Sequence, residues 1–279
     1  MITPVVSIVM ATYNRAGDLE PTIKNIFEQD YNKIELVVIN DGSSDNTLST
    51  LQNLQTKHDF IIIDNAQNLG LQKSLNIGIN LATGKYIARI DDHDKWSDVS
   101  KLSKQVSFLE SNPKVGVVGT GYKFGEKSML NPLTDSAIRN QILMRSPFCH
   151  VSVLIVKSIL DQVGGYDEAL PYSEDWDLWL KIGKHAQLAN LPDITVAIQE
   201  EDISLSRDYF LKQLPINRQI VKQYYKDYPK SFRAFSYHHF LWFFFAIFPL
   251  NGSIHQLMKH VFLNSFALTS KRDSNEPTF

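Results

Sequence analysis

The sequence predicts an α/β fold: a mixed, mostly parallel sheet flanked by helices, followed by a helical C-terminal extension. Short β-rich apolar runs alternate with stretches of helical periodicity through the first hundred residues, the pattern of right-handed β-α-β units. Polar clusters follow three of those runs directly, where ligands bind in such sheets. Beyond about residue 207 the strand pattern gives way to segments rich in Tyr, Phe and Lys.

Val5 to Met10 reads as the first strand, Thr12-Tyr13-Asn14 as its loop, and Leu19, Ile23, Ile26 and Phe27 as one face of a helix. Ile34 to Ile39 is the second strand. It runs into Asn40-Asp41-Gly42-Ser43-Ser44-Asp45, where Asp45 caps a helix carrying Leu48, Leu51 and Leu54. Phe60 to Ile63 forms a third strand, Leu71 to Leu81 a helix ended by Gly84, and Tyr86 to Ile90 a fourth strand leading to Asp91-Asp92-His93-Asp94. A helix with Leu102, Val106 and Leu109 stops at Asn112-Pro113, before a strand from Val115 to Val118. Residues 125 to 148 give no clear assignment. Val151 to Val156 reads as a strand, Ser158 to Val163 as a short helix, Gly164-Gly165 as a turn, and a helix with Trp176, Leu178, Trp179 and Ile182 starts at Glu174.

Composition narrows the function. A net charge of -2 over 279 residues, with no basic run, argues against nucleic-acid binding. The single cysteine, Cys149, excludes an internal disulfide, and MITPVVSIVMATYN lacks the pattern of a signal peptide, so a cytoplasmic protein is expected. No segment has the roughly 20 apolar residues of a membrane span.

Asp91-Asp92-His93-Asp94 gathers acidic groups and an imidazole at a strand end, where they repel unless a cation or buried hydrogen bonds compensate. A divalent metal answers this, Mg2+ by the Asp oxygens and Mn2+ once His93 is included. A solvated acidic loop with a helix cap at Asp94 or Ser97 is the alternative.

The succession VSIVMATYNR, ELVVINDGSSDNT, NLGLQKSLNIGINLATGKYIARIDDHD, VGGYDE and SEDWDLWL resembles the family 2 glycosyltransferases of the GT-A fold, a Rossmann-type architecture, over residues 5 to about 206. That resemblance implies a catalytic domain at 1-206, with a nucleotide-sugar half to about 95 and an acceptor half from 96, and a helical extension at 207-279. It implies that Thr12, Tyr13, Asn14, Arg15 and Asp41 hold the nucleotide of a UDP-type donor, Tyr13 by stacking on the base and Asp41 by accepting the uracil imide hydrogen. A loop tyrosine and an Asp-Gly turn explain the same residues without a ligand. Asn68, Gly70, Asn76 and Gly78 match a stretch that closes over the donor, with a capped loop and helix glycines as the alternative. Asp91, Asp92 and His93 align with the family's Asp-x-Asp metal motif as Asp-x-His. The metal, Mn2+ or Mg2+, is then held by Asp91 and His93, with Asp92 near the donor. Glu174 and Asp175 match the catalytic acidic pair, Asp175 as general base of an inverting transfer; an acidic first turn on the helix dipole is the other account of Glu174. His150 stands where the family often has a histidine near the phosphates or acceptor. Cys149 beside it points to the opposite face, which argues against a Cys/His dyad. Glu201 is a further candidate for the metal shell, or part of a solvated loop.

The aromatic run Phe240 to Phe248 must be covered by the protein interior, a second subunit in a homodimer, or the membrane interface through about 237-250. Membrane contact would suit a glycan or lipid-linked saccharide acceptor at the inner face of the membrane. Two rivals remain on the sequence. A sugar-phosphate nucleotidyltransferase would want a glycine- and basic-rich first loop, unlike Thr12 to Arg15. A non-catalytic sugar-nucleotide or glycan-binding protein need not keep Asp175 or the acidic cluster.

Overall fold

A computed structural model describes residues 5–198 and 202–247. The sheet begins with β1 (Val6–Thr12), β2 (Ile34–Asn40), β3 (Ile61–Asp64) and β4 (Tyr86–Arg89), all parallel, in spatial order β3-β2-β1-β4. It continues through β8 (Leu154–Val156), β6 (Val115–Phe124) and β9 (Gln187–Ile198) to β5 (Lys95–Trp96), while β7 (Lys127–Met129) pairs with β6. The β4–β8, β8–β6, β6–β7 and β9–β5 pairs are antiparallel, so the sheet is mixed.

Both faces of the central strands are covered, which is why they read as unbroken apolar runs rather than alternating ones. Val9, Val37 and Ile39 face one layer, built on α3 (Leu71–Leu81) and α7 (Glu174–Gly183). Ile8, Met10, Leu36 and Val38 face the other, built on α1 (Leu19–Phe27), α2 (Thr47–Gln55) and α4 (Lys101–Ser111). The remaining helices are α5 (Asp135–Arg139), α6 (Lys157–Val163), α8 (Asp202–Tyr224) and α9 (Ser231–Ile247). Ile220, Val221, Tyr224, Tyr228 and Ala234 join the core of the α7 layer. Tyr224 donates to buried Asp177 at 2.8 Å and Tyr228 to the Leu180 carbonyl at 2.6 Å. The helical extension therefore shares a core with the sheet.

Four local expectations need correction. Gly84 does not end α3, whose cap is Ala82 in an extended conformation. A Cβ at Gly84 would lie 2.5 Å from the Ser7 hydroxyl and 2.8 Å from the Val5 carbonyl, so that glycine serves the close approach to β1. Asp45 accepts the Thr47 N–H at 2.9 Å, but the cap position of α2 is Asn46. Of Val151 to Val156 only the last three residues are strand, because His150–Ser152 forms a 3-10 turn. Gly78 faces inward: a Cβ there would meet Ile39 and Val9 at 2.5 and 2.6 Å, so it packs α3 on the sheet.

β9 was hidden by Leu191-Pro192-Asp193, which reads as a breaker. In the structure the β6–β9 register slips between the pairs Gly119–Asn190 and Gly121–Ile194, and Pro192, which lacks an N–H, sits in that irregularity. Glu201 and residues 248–250 lie outside the described residues.

Candidate active site

β1 and β2 end level, Thr12 against Asn40 and Asn40 against Asp64, so their loops meet at one edge of the sheet. Asn14, with φ 54°, turns back toward the second loop: its backbone N–H donates to the Ser43 hydroxyl at 2.9 Å and its side-chain oxygen accepts the Ser44 N–H at 2.8 Å. The Arg15 N–H donates to the Thr47 hydroxyl at 3.0 Å, and its guanidinium lies by Asp18. Tyr13 stands out from this frame, 47% exposed, while Thr12 is buried.

Asp41 is buried and accepts from the Asn65 amide at 2.9 Å, the Leu69 N–H at 2.8 Å and the Gly70 N–H at 3.0 Å. It thus organises the 65–70 loop, using three of a carboxylate's roughly four acceptor directions. Asn68 accepts the Gly70 N–H at 3.1 Å, and Gly70 itself has φ +90°. Gly42 lies under this loop at φ +69°, and a Cβ there would lie 2.3 Å from the Gln67 carbonyl carbon. Gly42→Ala should lower stability by about 2 kcal/mol or more, read as a drop in thermal midpoint, since the loop must shift and φ is wrong for alanine.

The acidic loop after β4 is held from α1. The Thr22 hydroxyl donates to the Asp92 and Asp94 carbonyls at 3.0 and 3.2 Å, and Asn25 pairs with both backbone groups of Trp96 at 2.8 and 3.0 Å. The outcome is an alternation: Asp92 and Asp94 are buried, Asp91 and His93 partly exposed. The Asp92 carboxylate is turned on His93, whose Nδ1 lies 3.0 Å from it. The Asp92 carboxylate beside it pushes the His93 pKa up to about 9. A carboxylate on one ring nitrogen is how a metal-ligating imidazole is oriented, so Asp91 and His93 suit a divalent cation with Asp92 behind them. Among the described residues no three His, Cys, Asp or Glu side chains gather where they could hold a metal ion together.

Opposite that loop stands the first turn of α7. Ser173, its cap, has φ 60°, and Glu174 and Asp175 follow. Burial raises the Glu174 pKa to about 7, and the neighbouring Asp175 charge adds to it. Burial also raises that of Asp175, against the Trp176 N–H, Arg89, the Ser146 hydroxyl at 3.4 Å and the Trp179 indole, which favour its ionised form. Trp179 Nε1 is fully buried and lacks a hydrogen-bond partner, one turn along the helix from Asp175. Trp179→Phe keeps the ring and removes that N–H. The acidic limb of the rate profile should then move to higher pH, because the indole N–H dipole that favours the ionised carboxylate is lost. An unmoved limb would separate Trp179 from Asp175.

Three residues to which the sequence reading gave no site role lie beside these groups. Arg89, buried at the end of β4, pairs with Asp91 Oδ1, and its Nε has no partner. Burial opposes its charge, while Asp91, Tyr166 and Glu174 favour it. A lone cation in an apolar strand was the available signal. Tyr166 lies 2.6 Å from His150 Nε2, and burial, with Arg89, holds the His150 pKa well below the usual range. Trp179 closes the other side, edge-on to His150 at 5.8 Å. Asn76 is engaged with the Tyr166 backbone at 2.9 and 3.0 Å and with Glu168 at 3.0 Å, which clips α3 to this turn. Cys149 is buried and its thiol pushed up to about 12 by that burial, which makes it a poor nucleophile.

Residues 7–160 match the model of glycosyl transferase family 2. The chain belongs to that family. An uncharacterized glycosyltransferase of Haemophilus influenzae is 33% identical over 211 residues, covering 69% of this chain and 64% of its own length. The amylovoran biosynthesis glycosyltransferase AmsE of Erwinia amylovora is 31% identical over 69% of this chain and 75% of its own. A UDP-Glc:alpha-D-GlcNAc-diphosphoundecaprenol beta-1,3-glucosyltransferase, WfaP of Escherichia coli, is 28% identical over 72% and 80%. Among solved structures, a Pyrobaculum calidifontis mannosyltransferase in complex with GDP-Man and Mn2+ superposes with a TM-score of 0.67 at 21% identity, covering 85% of this chain and 69% of the other. S. aureus TarS 1-349 with UDP-GlcNAc does so at 0.62 and 18%, over 78% and 66%. The family 2 chain thus has the GT-A-like fold and is related to glycosyltransferases of bacterial polysaccharide biosynthesis.

Proposed function

We propose that this family 2 glycosyltransferase moves a sugar from a nucleoside-diphosphate donor, UDP-linked, to a hydroxyl of a glycan or lipid-linked saccharide, with inversion at the anomeric carbon. The observation that carries this reading is the charge network around buried Arg89, which pairs with Asp91 of the loop after β4 and acts on Glu174 at the head of α7, so that the two acidic clusters share one neighbourhood. Tyr13 is available to stack on the base, on a loop clamped by Asn14.

Asp175 takes the proton of the acceptor hydroxyl while that oxygen forms its bond to the anomeric carbon and the bond to the diphosphate breaks. The raised pKa of Asp175 suits a base that must also release its proton afterwards. Glu174, next to it, has its pKa raised to about 7 by burial and by the Asp175 charge, so the two carboxyls titrate as a coupled pair. A divalent cation on Asp91 and His93 would supply positive charge for the leaving diphosphate. His150 and Tyr166 shape the wall beside the reacting sugar. An enzyme of this kind acting on a lipid-linked acceptor would work at the inner face of the cell membrane, as a monomer or a homodimer.

Calorimetric titration of UDP, GDP and dTDP, with Mn2+ and then with chelator, tests the donor half of the proposal. Metal-dependent binding of UDP is expected. Tighter binding of GDP or dTDP would reassign the base, and no binding of any nucleotide would favour the non-catalytic alternative.

A further inference from the structure

Helix α9 is apolar on two sides that have different surroundings. Ala234, His238 and Leu241 point into the protein, and the His238 ring lies 5.5 Å from that of Trp176, the residue after Asp175. Phe232 and Phe243, three helical turns apart, lie on the outer side, 83% and 60% exposed, with Phe240 between them at 61%. The turn between α8 and α9 adds exposed Tyr225, with the exposed cations Lys226, Lys230 and Arg233 around it. Monomeric proteins rarely present contiguous aromatic surface of this kind to water.

Charge indicates what covers it. Residues 207–247 carry seven Lys or Arg against two Asp, whereas residues 1–206 carry 18 against 26 Asp or Glu. The overall charge of -2 therefore conceals a basic extension on an acidic domain. Among the described residues no helix is long and apolar enough to cross a membrane. An aromatic face fringed by cations is complementary to an anionic surface with an apolar interior, the headgroup layer of a bilayer. A second copy of the chain would instead bring like charges together.

We propose that the outer face of α9 and the α8–α9 turn dock on the surface of an anionic lipid bilayer, with Phe232, Phe240 and Phe243 entering the headgroup layer and Lys226, Lys230 and Arg233 meeting lipid phosphates. The docking rests on this surface alone and stands whether or not the transfer chemistry above is correct. Its geometry would set α7, on the inner side of α9, close to the membrane plane.

Co-sedimentation of the full chain with phosphatidylethanolamine vesicles containing phosphatidylglycerol tests this, with phosphatidylcholine vesicles as the neutral comparison. Binding to the anionic vesicles is expected, weakened by salt because the Debye length shrinks to about 3 Å at 1 M. The triple variant K226E/K230E/R233E should lose about 100-fold or more in vesicle affinity, taking a factor of about 5 for each of the three lipid-facing cations removed. Phe232→Ser with Phe243→Ser should lose binding by about tenfold or more at unchanged thermal midpoint, since both rings are already solvated. Equal affinity for phosphatidylcholine, or no vesicle binding by the wild type, overturns the proposal. A concentration-dependent dimer that the Phe variant dissolves, without vesicle binding, assigns the face to a second copy instead.

Discussion

Asp175→Asn should reduce sugar transfer by about 10²- to 10⁴-fold, the span over which a positioned general base contributes. Nucleotide affinity should stay within about twofold, because the substitution removes proton acceptance and leaves the size of the side chain unchanged. Asparagine can still accept from the Ser146 hydroxyl and the Trp176 N–H, so the turn at the head of α7 keeps its shape. The base must be ionised to act, and burial raises its pKa. Wild-type activity should therefore fall as pH drops through that raised value and recover as pH rises above it. The neighbour of that base, Glu174, has its pKa raised to about 7 by burial and by the Asp175 charge, so the acid limb should lie above that of an exposed carboxylate. Undiminished turnover in Asp175→Asn would remove this residue from the reaction.

Asp91→Asn is the second large effect. Metal-dependent donor affinity should drop by about 10- to 100-fold, the scale seen when a metal's immediate surroundings are altered. Chelator should weaken the wild type to a similar level and have little further effect on the variant. If the variant keeps full affinity that chelator still abolishes, Asp91 does not hold the cation. The thermal midpoint should be measured beside it, because Asp91 is the ion-pair partner of buried Arg89 and a buried cation without its carboxylate is destabilising. Chelation of the wild type separates the two effects, as it removes the metal and leaves the ion pair.

Much of the first half of the fold could be read from the chain, for a physical reason. Strands buried on both faces need apolar residues at nearly every position, and the runs Ile8 to Ala11, Leu36 to Ile39 and Tyr86 to Ala88 show this, each followed by a polar residue. Leu71–Leu81 was legible because its inward face repeats at helical spacing. The later sheet was legible only in part: Val115 to Val118 and Val151 to Val156 read as strands and overlap β6 and β8, whereas β9 carries a proline in mid-strand that a register slip accommodates. In the site, the residues at strand ends and at the head of α7 were visible because their polarity interrupts a pattern. The environment that tunes them was not: Tyr166 meets His150 and Asn76 from 16 and 90 residues away, and Arg89 at the end of β4 acts on Glu174 at the head of α7. Such encounters are made by topology and leave no local spacing to detect.

The turn that bears Glu174 and Asp175 is not carried by the sheet alone. Ser173, held in a left-handed conformation that side chains rarely adopt, donates to Asn217 of α8 at 2.7 Å, while Tyr224, Tyr228 and His238 brace the next residues of α7 from outside. For anyone recombining relatives to change acceptor choice, this sets the crossover point. A chimera joined at residue 206 would give one parent's base to the other parent's buttress, and its activity would report the fit of that seam before it reported any new specificity.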